Sequence, residues 1–131
     1  MKCKPTILLY NLSGSRGRPW RFAAKQLGIV ERMVHPSEYN REIGTLFTSA
    51  LLTESGMALG FSDPMLVMAY FQSDFLDSFL KAAYTAGADK GILKAVLTSI
   101  NVNWTSNQLH EELLREQTAI ISEKPWPLDN D

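Results

Sequence analysis

The sequence has little of the side-chain chemistry from which metal centres and catalytic sites are built. Its 131 residues include one cysteine, Cys3, and two histidines, His35 and His110. A single cysteine excludes an intramolecular disulfide and a thiolate metal cage, and neither histidine has a ligand-type residue at a recognised metal-binding spacing. No G-x-S-x-G elbow, S-x-x-K motif or named nucleotide-binding signature occurs. We therefore predict no metal, no cofactor and no catalytic residue, and favour a non-catalytic protein over an enzyme.

The sequence also lacks a charge excess and a long apolar run. Lys and Arg number 13 against 14 Asp and Glu, for a net charge of −1. This balance argues against a nucleic-acid partner. The longest apolar candidate, Pro64–Phe71, is far shorter than the roughly 18 residues of a membrane span, and the apolar run near the N-terminus is about half a signal-peptide core. We therefore expect no membrane association and, with a free cysteine, a cytoplasmic location.

What is present is a regular alternation of apolar runs and amphipathic stripes, with ordinary globular composition. Turn residues bound each run, and helix punctuation brackets the first stripe, with Pro19 at its start and Gly28 past its end. Thr105 and Gln108 form a T-x-x-Q capping box that opens the last helix. The predicted strands are Thr6–Leu12, Ile29–Val34, Met65–Phe71 and Gly91–Thr98, and helices are predicted over Arg18–Leu27, from Ile43 to Leu51, after Ser73 and after Thr105.

Two strand–helix–strand segments resemble each other, one beginning at Ile7 and the other at Met65. Two such halves predict an α+β ferredoxin-like two-layer sandwich, a four-stranded sheet with helices on one face plus an extra C-terminal helix. The alternative is an open parallel α/β sheet, because every predicted strand is followed by a helix. We expect a single domain over residues 1–122 and an irregular, proline-containing tail over 123–131.

The sharpest candidate site is the loop between the first strand and the first helix. Its glycines could turn backbone N–H groups toward an anion near the positive end of the helix, and its arginines add donors. The competing interpretation is an ordinary turn with solvated arginines. The predicted ligand-binding residues are Ser13, Gly14, Ser15, Arg16, Gly17 and Arg18.

Two tryptophans are candidate interaction residues. Trp104 follows the last predicted strand in an NVNW loop, and Trp126 is flanked by Pro125 and Pro127 in the tail. A large apolar ring in either place packs on the protein body or on a partner. An open four-stranded sheet also leaves two strand edges that another chain could cover, which favours a homo-oligomer.

Several stretches together carry a resemblance to a known family. They are ILLYN at 7–11, SEYNREIGTL at 37–46, FSDPMLVM at 61–68, LKAVLT at 93–98, N-x-NWT at 101–105 and L-x-EEL at 109–113. This pattern, most specific in LKAVLT and N-x-NWT, resembles small bacterial proteins, frequent in anaerobic Firmicutes, that are grouped as a domain of unknown function. The resemblance spans about residues 6 to 117 and implies a compact bacterial α+β domain. The family has no assigned activity, so no site residues carry over, and the Ser13–Pro19 loop is longer and more basic than its pattern.

Together these features predict a non-catalytic domain that acts through protein interaction or small-ligand sensing. The alternative is an anion-binding or enzymatic domain that uses the Ser13–Arg18 loop. The expected partner is accordingly another protein, a second copy of the chain or a small anionic ligand.

Overall fold

The computed structural model describes residues 4–47 and 61–122, and the predicted tail over 123–131 lies outside this part. Four strands and four helices alternate along the chain. The strands are β1 (Thr6–Tyr10), β2 (Val30–Met33), β3 (Met65–Ala69) and β4 (Leu93–Val96). The helices are α1 (Arg18–Leu27), α2 (Ile43–Leu46), α3 (Ser73–Thr85) and α4 (Ser106–Ser122), with short 3₁₀ helices at Ser15–Gly17, Pro36–Glu38 and Asn101–Asn103.

Local signals set both ends of α1 and the start of α4. Helix α1 has Pro19 in its first turn and ends at Gly28, whose φ of 72° is left-handed, where a residue with a Cβ is disfavoured. The predicted capping box of α4 is confirmed: the Gln108 N–H donates to the Thr105 hydroxyl at 3.1 Å. In return, the Thr105 N–H donates to the Gln108 side-chain oxygen at 2.8 Å.

The strands form one open sheet in the order β2-β1-β3-β4. The outer pairs, β1 with β2 and β3 with β4, are parallel. The central pair, β1 with β3, is antiparallel, and Leu8 lies opposite Val67. The carboxyl ends of β1 and β2 therefore lie at one end of the sheet, and those of β3 and β4 lie at the other.

The two strand–helix–strand halves match in local detail. The residues directly after β1 and β3, Asn11 and Tyr70, both have positive φ values, 57° and 68°. This conformation is uncommon for residues with a side chain, so its recurrence at corresponding positions supports the predicted internal resemblance. A half-turn about the normal to the sheet relates the two strand–helix–strand halves. With the usual right-handed crossover in both halves, their helices lie on the same face of the sheet. Helix α1 packs against α3, as this arrangement requires.

The mixed α+β fold with an open four-stranded sheet is confirmed, but the ferredoxin-like arrangement is not. Each half keeps its own two strands side by side, whereas a ferredoxin-like sheet interleaves the strands of its two halves. The antiparallel central pair also means that the sheet is not wholly parallel. Helices cover both faces rather than one, because every side chain of β3 is buried and each face therefore requires its own apolar cover.

The two faces carry separate cores. Alternate residues of β1 point to opposite sides, with Ile7 in one core and Leu8 in the other. Trp20 of α1 and Phe79 of α3 fill the first core. The second core is formed by the chain after β2, α2 and α4, and its buried side chains are Leu8, Tyr10, Val34, Tyr39, Ile43, Leu46, Met65, Val67, Leu93 and Leu109. Among the described residues, no helix combines the length and apolarity needed to cross a membrane.

Candidate functional site

The connection between β1 and α1 starts with a residue that fixes the end of the strand. Asn11 donates from its side-chain nitrogen to the carbonyl oxygens of Phe61 and Asp63, both at 2.9 Å. Asparagine tolerates the left-handed backbone found here better than most residues with a side chain. The side chain thereby ties the end of β1 to the segment that leads into β3.

The rest of the connection is held by one close approach and one partly buried arginine. A Cβ on Gly17 would lie 1.8 Å from the Leu12 carbonyl oxygen, so only glycine fits at this position. That same carbonyl accepts a hydrogen bond from the Arg21 guanidinium, which also reaches the Gly14 carbonyl at 3.3 Å. Arg21 therefore holds two loop carbonyls inward.

The predicted loop residues do not converge on one point. Ser13 borders a cavity at the carboxyl ends of β1 and β2. Arg16 instead lines a smaller cavity beside Asp63, Gly91 and Leu114, and its guanidinium donates to Asp89 at 2.9 Å. Gly17 is buried, and the remaining predicted residues of the loop, Gly14, Ser15 and Arg18, are exposed.

Asp89 offsets the positive charge of Arg16. The Gly91 N–H donates to Asp89 at 2.8 Å, and this bond, followed by the one from Arg16, lowers the pKa of the Asp89 carboxyl. A carboxylate held ionised beside Arg16 competes with any anion for that guanidinium. Arg16 is therefore a weaker anion donor than the sequence suggests.

The cavity that Ser13 borders has mainly apolar walls and a volume of about 320 Å³. We refer to it as the β1–β2 cavity. It lies where two parallel strands end and a helix follows, the place where open α/β sheets commonly bind ligands. The eight residues that line it are Leu9, Asn11, Leu12, Ser13, Met33, Val34, His35 and Pro36, none of which is acidic.

His35 is held in this cavity by its own capping interactions. Its Nδ1 accepts a hydrogen bond from the Ser37 N–H at 3.3 Å, and its backbone N–H donates to the buried Glu38 carboxylate at 3.0 Å. Because Nδ1 acts as an acceptor here, Nε2 is the ring nitrogen available to donate. The spacing of His35 and Glu38 around Pro36 is the sequence signal of this capping box.

Glu38 is fully buried and paired. Its carboxylate accepts from the Arg32 guanidinium at 2.8 Å as well as from the His35 N–H. Burying a carboxylate without such partners is strongly unfavourable. The pair thus fixes the backbone of His35 relative to β2, on which Arg32 lies.

A second polar cluster joins α4 to the segment before β3. His110 Nε2 lies 2.8 Å from an Asp63 carboxylate oxygen, and the His110 ring stacks on Phe61 with centroids 3.9 Å apart. The helical pattern places His110 on an exposed face, but its side chain is only 12% exposed. Below this stack, the hydroxyls of Tyr10 and Ser106 lie 2.7 Å apart. These contacts dock α4 on the sheet.

Burial shifts the pKa values of two tyrosines, Tyr10 and Tyr39. Desolvation raises the pKa of Tyr10, and the Ser106 hydrogen bond partly opposes it. Burial likewise raises the pKa of Tyr39, with the Asn11 side chain opposing. Both phenols are therefore neutral at physiological pH.

Within residues 4–47 and 61–122, no group of three His, Cys, Asp or Glu side chains is arranged to hold a metal ion.

Trp104 does not line the β1–β2 cavity. Trp104 is partly buried against the second core, and its carbonyl accepts from the Ile43 N–H at 2.8 Å. It therefore helps to hold α2 next to the start of α4. Trp126 lies outside the described residues.

Comparison with known protein families gives a match over part of the chain. Residues 64–120 match the family model of a domain of unknown function, DUF3783. This segment runs from the start of β3 through α3 and β4 into α4, so the β1–β2 cavity, formed by residues before it, lies outside the match. No curated protein and no solved structure matches the chain at a significant level. The match supports the predicted relation to a domain of unknown function over residues 64–120.

Proposed function

We propose that this protein is a non-catalytic domain that binds a small carboxylate-bearing molecule in the β1–β2 cavity. The observation that carries the proposal is that apolar walls are combined with two side chains able to donate hydrogen bonds, Ser13 and His35, at the carboxyl ends of parallel strands. Small-ligand sites commonly combine an apolar lining with a few fixed polar groups.

The charges and the size of the cavity define the ligand. None of the lining residues is acidic, so a carboxylate would meet no repulsion from the walls. Leu9, Leu12 and Met33 offer contacts to an apolar body. A volume of about 320 Å³ suits a carboxylate with a body of about four to eight carbon atoms.

We propose that His35 binds the ligand rather than transferring a proton to it. Ser37 and Glu38 hold the ring and backbone of His35 before any ligand arrives, which lowers the entropic cost of binding. The Ser13 hydroxyl belongs to the same cavity. Recognition of the ligand is the chemistry that we propose for this site.

The experiment compares thermal unfolding with butyrate, benzoate and inorganic phosphate, and with the matched alcohols butanol and benzyl alcohol. A carboxylate at 100 times its dissociation constant should stabilise the fold by about 2.7 kcal/mol. Ser13→Ala and His35→Asn should abolish this shift, since asparagine keeps a capping oxygen but lacks the Nε2–H donor. Ser15→Ala, which changes an exposed serine outside the cavity, is the matched control.

Two results would refute the proposal. One is the absence of a shift with every carboxylate, and the other is an equal shift in the Ser13 and Ser15 variants. A shift with phosphate that is lost only in an Arg16→Ala/Arg18→Ala double variant would favour the alternative, in which the Ser13–Arg18 loop itself binds an anion.

A further inference from the structure

The two edge strands of the sheet differ in how their outward backbone groups are used. At β4, the Leu97 N–H points inward to the Met68 carbonyl, so the backbone groups of Val96 and Thr98 point outward. The side chain of Asn101 binds one group of each residue: its nitrogen donates to the Val96 carbonyl at 3.1 Å, and its oxygen accepts from the Thr98 N–H at 2.8 Å. Asn101, almost fully buried, thus takes the place of a neighbouring strand at the carboxyl end of β4.

The opposite edge, β2, has no such cover. The N–H groups of Val30 and Val34 point inward to β1, at 3.0 Å from the Pro5 and Leu9 carbonyls. Because the direction alternates along a strand, the N–H and C=O groups of Glu31 and Met33 point outward. Within the described part of the chain, none of these four groups has a hydrogen-bond partner. Two β2 side chains, Val30 and Met33, are also 42% and 41% exposed.

The charged side chains of β2 are already paired within the chain. Arg32 donates to the buried Glu38 at 2.8 Å, and Glu31 lies 3.7 Å from the Lys25 ammonium. An approaching strand therefore meets offset charges and apolar side chains rather than a net charge. This favours a partner edge that is itself neutral and apolar.

We propose that β2 is a dimerisation edge at which a second copy of this chain adds its own β2 in antiparallel orientation. With the two-fold axis at Arg32, Glu31 lies opposite Met33 of the second copy and Met33 lies opposite its Glu31. Each pair exchanges two N–H···O=C bonds, so four hydrogen bonds form and all the outward groups of these residues are used. The open groups of β2 are complementary to themselves, which is what an isologous interface requires.

The capped end of β4 disfavours growth beyond two copies. Pairing through β2 leaves β4 at each end of a continuous eight-stranded sheet, and Asn101 occupies the outward Val96 C=O and Thr98 N–H groups there. Edges blunted in this way do not template further strands. Met33 also lines the β1–β2 cavity, so each cavity would border the interface.

The test uses two valines of equal exposure on the two edges. Val30 is 42% exposed and Val96 is 41% exposed. Sedimentation velocity on the full chain, up to about 1 mM, should give a dimer for the wild type. Val30→Lys should weaken the association about tenfold or more, because a charge is placed in the pairing edge, whereas Val96→Lys should leave it unchanged.

Amide hydrogen exchange identifies the edge directly. The Glu31 and Met33 amides should become protected as concentration rises, while the Lys94 amide on the other edge should not. A second variant, Met33→Pro, removes one outward N–H and no inward one, and it should also weaken the dimer. A monomer at every concentration, equal effects of the two lysine variants, or a dimer with unprotected Glu31 and Met33 amides would overturn the proposal.

Discussion

Replacing Gly17 by alanine tests why the candidate loop contains glycine. The new Cβ would lie 1.8 Å from the Leu12 oxygen, 2.6 Å from its carbonyl carbon and 2.8 Å from its Cβ, well inside the roughly 3.5–4.0 Å of normal carbon contacts. Leu12 is fully buried, so it has little room to move. Overpacking of this kind costs about 1–3 kcal/mol. A displaced Leu12 carbonyl also loses its bond from Arg21, and bonds to charged groups contribute about 1.5–3 kcal/mol.

The combined loss for Gly17→Ala should be about 3 kcal/mol, since effects at neighbouring residues do not add fully. In a chain of this size the melting temperature should fall by about 10 °C. The matched control is Gly14→Ala, where no atom lies within 4 Å of the new Cβ and φ is −92°. The control should be neutral or stabilised by about 0.5 kcal/mol through reduced freedom of the unfolded chain. Urea unfolding followed by circular dichroism measures both variants, and equal midpoints would refute the steric argument.

Two further changes test the edge cap and the buried tyrosine. Asn101→Ala should lower the free energy of unfolding in urea by about 1–3 kcal/mol, because the Thr98 N–H and the Val96 C=O lose their partner. The Thr98 amide should also exchange faster with solvent. Unchanged exchange would contradict the capping role. Tyr10→Phe should cost about 1 kcal/mol at pH 7, because the Ser106 hydroxyl loses its buried partner. The pKa of Tyr10 is raised in the folded protein. The stability that this shift contributes is therefore fully present below about pH 10, where the phenol of the unfolded chain begins to ionise. Above this pH the free energy of unfolding falls by up to about 1.4 kcal/mol per pH unit. The wild type should therefore lose stability more steeply than Tyr10→Phe between about pH 10 and 11, and parallel profiles would argue against a buried neutral phenol.

The elements of the fold could be predicted because their signals are local. Pro19 and Gly28 fix the ends of α1, and Thr105 with Gln108 fixes the start of α4, through contacts between residues at most a few positions apart. The predicted strands differ from the observed ones only by a few residues at their ends. A run of apolar residues does not mark where pairing with a neighbouring strand stops, so strand ends depend on the assembled sheet.

The candidate site could be predicted only in part. The loop after β1 was identified from its turn residues, and Ser13 does border a cavity. Arg16 is drawn away by Asp89, a residue 73 positions later in the chain. His35 enters the cavity because Glu38 and Ser37 hold it, and His110 is covered by Phe61 from a distant segment. Of these pairings, only those of His35 with Ser37 and Glu38 have a local spacing, that of a capping box; the Arg16–Asp89 and His110–Phe61 contacts join distant segments and have no such signal.

The sequence by itself determined the secondary structure, the two similar halves and the absence of a common catalytic motif, because these depend on local patterns of apolar, turn and capping residues. The tertiary structure decided the strand order, the cover on both faces of the sheet and the difference between its edges. That difference depends on Asn101 reaching back to β4, whereas no described side chain binds the outward backbone groups of β2. Such hydrogen bonds form only once distant segments have packed, because the low-dielectric interior then penalises every backbone group left without a partner.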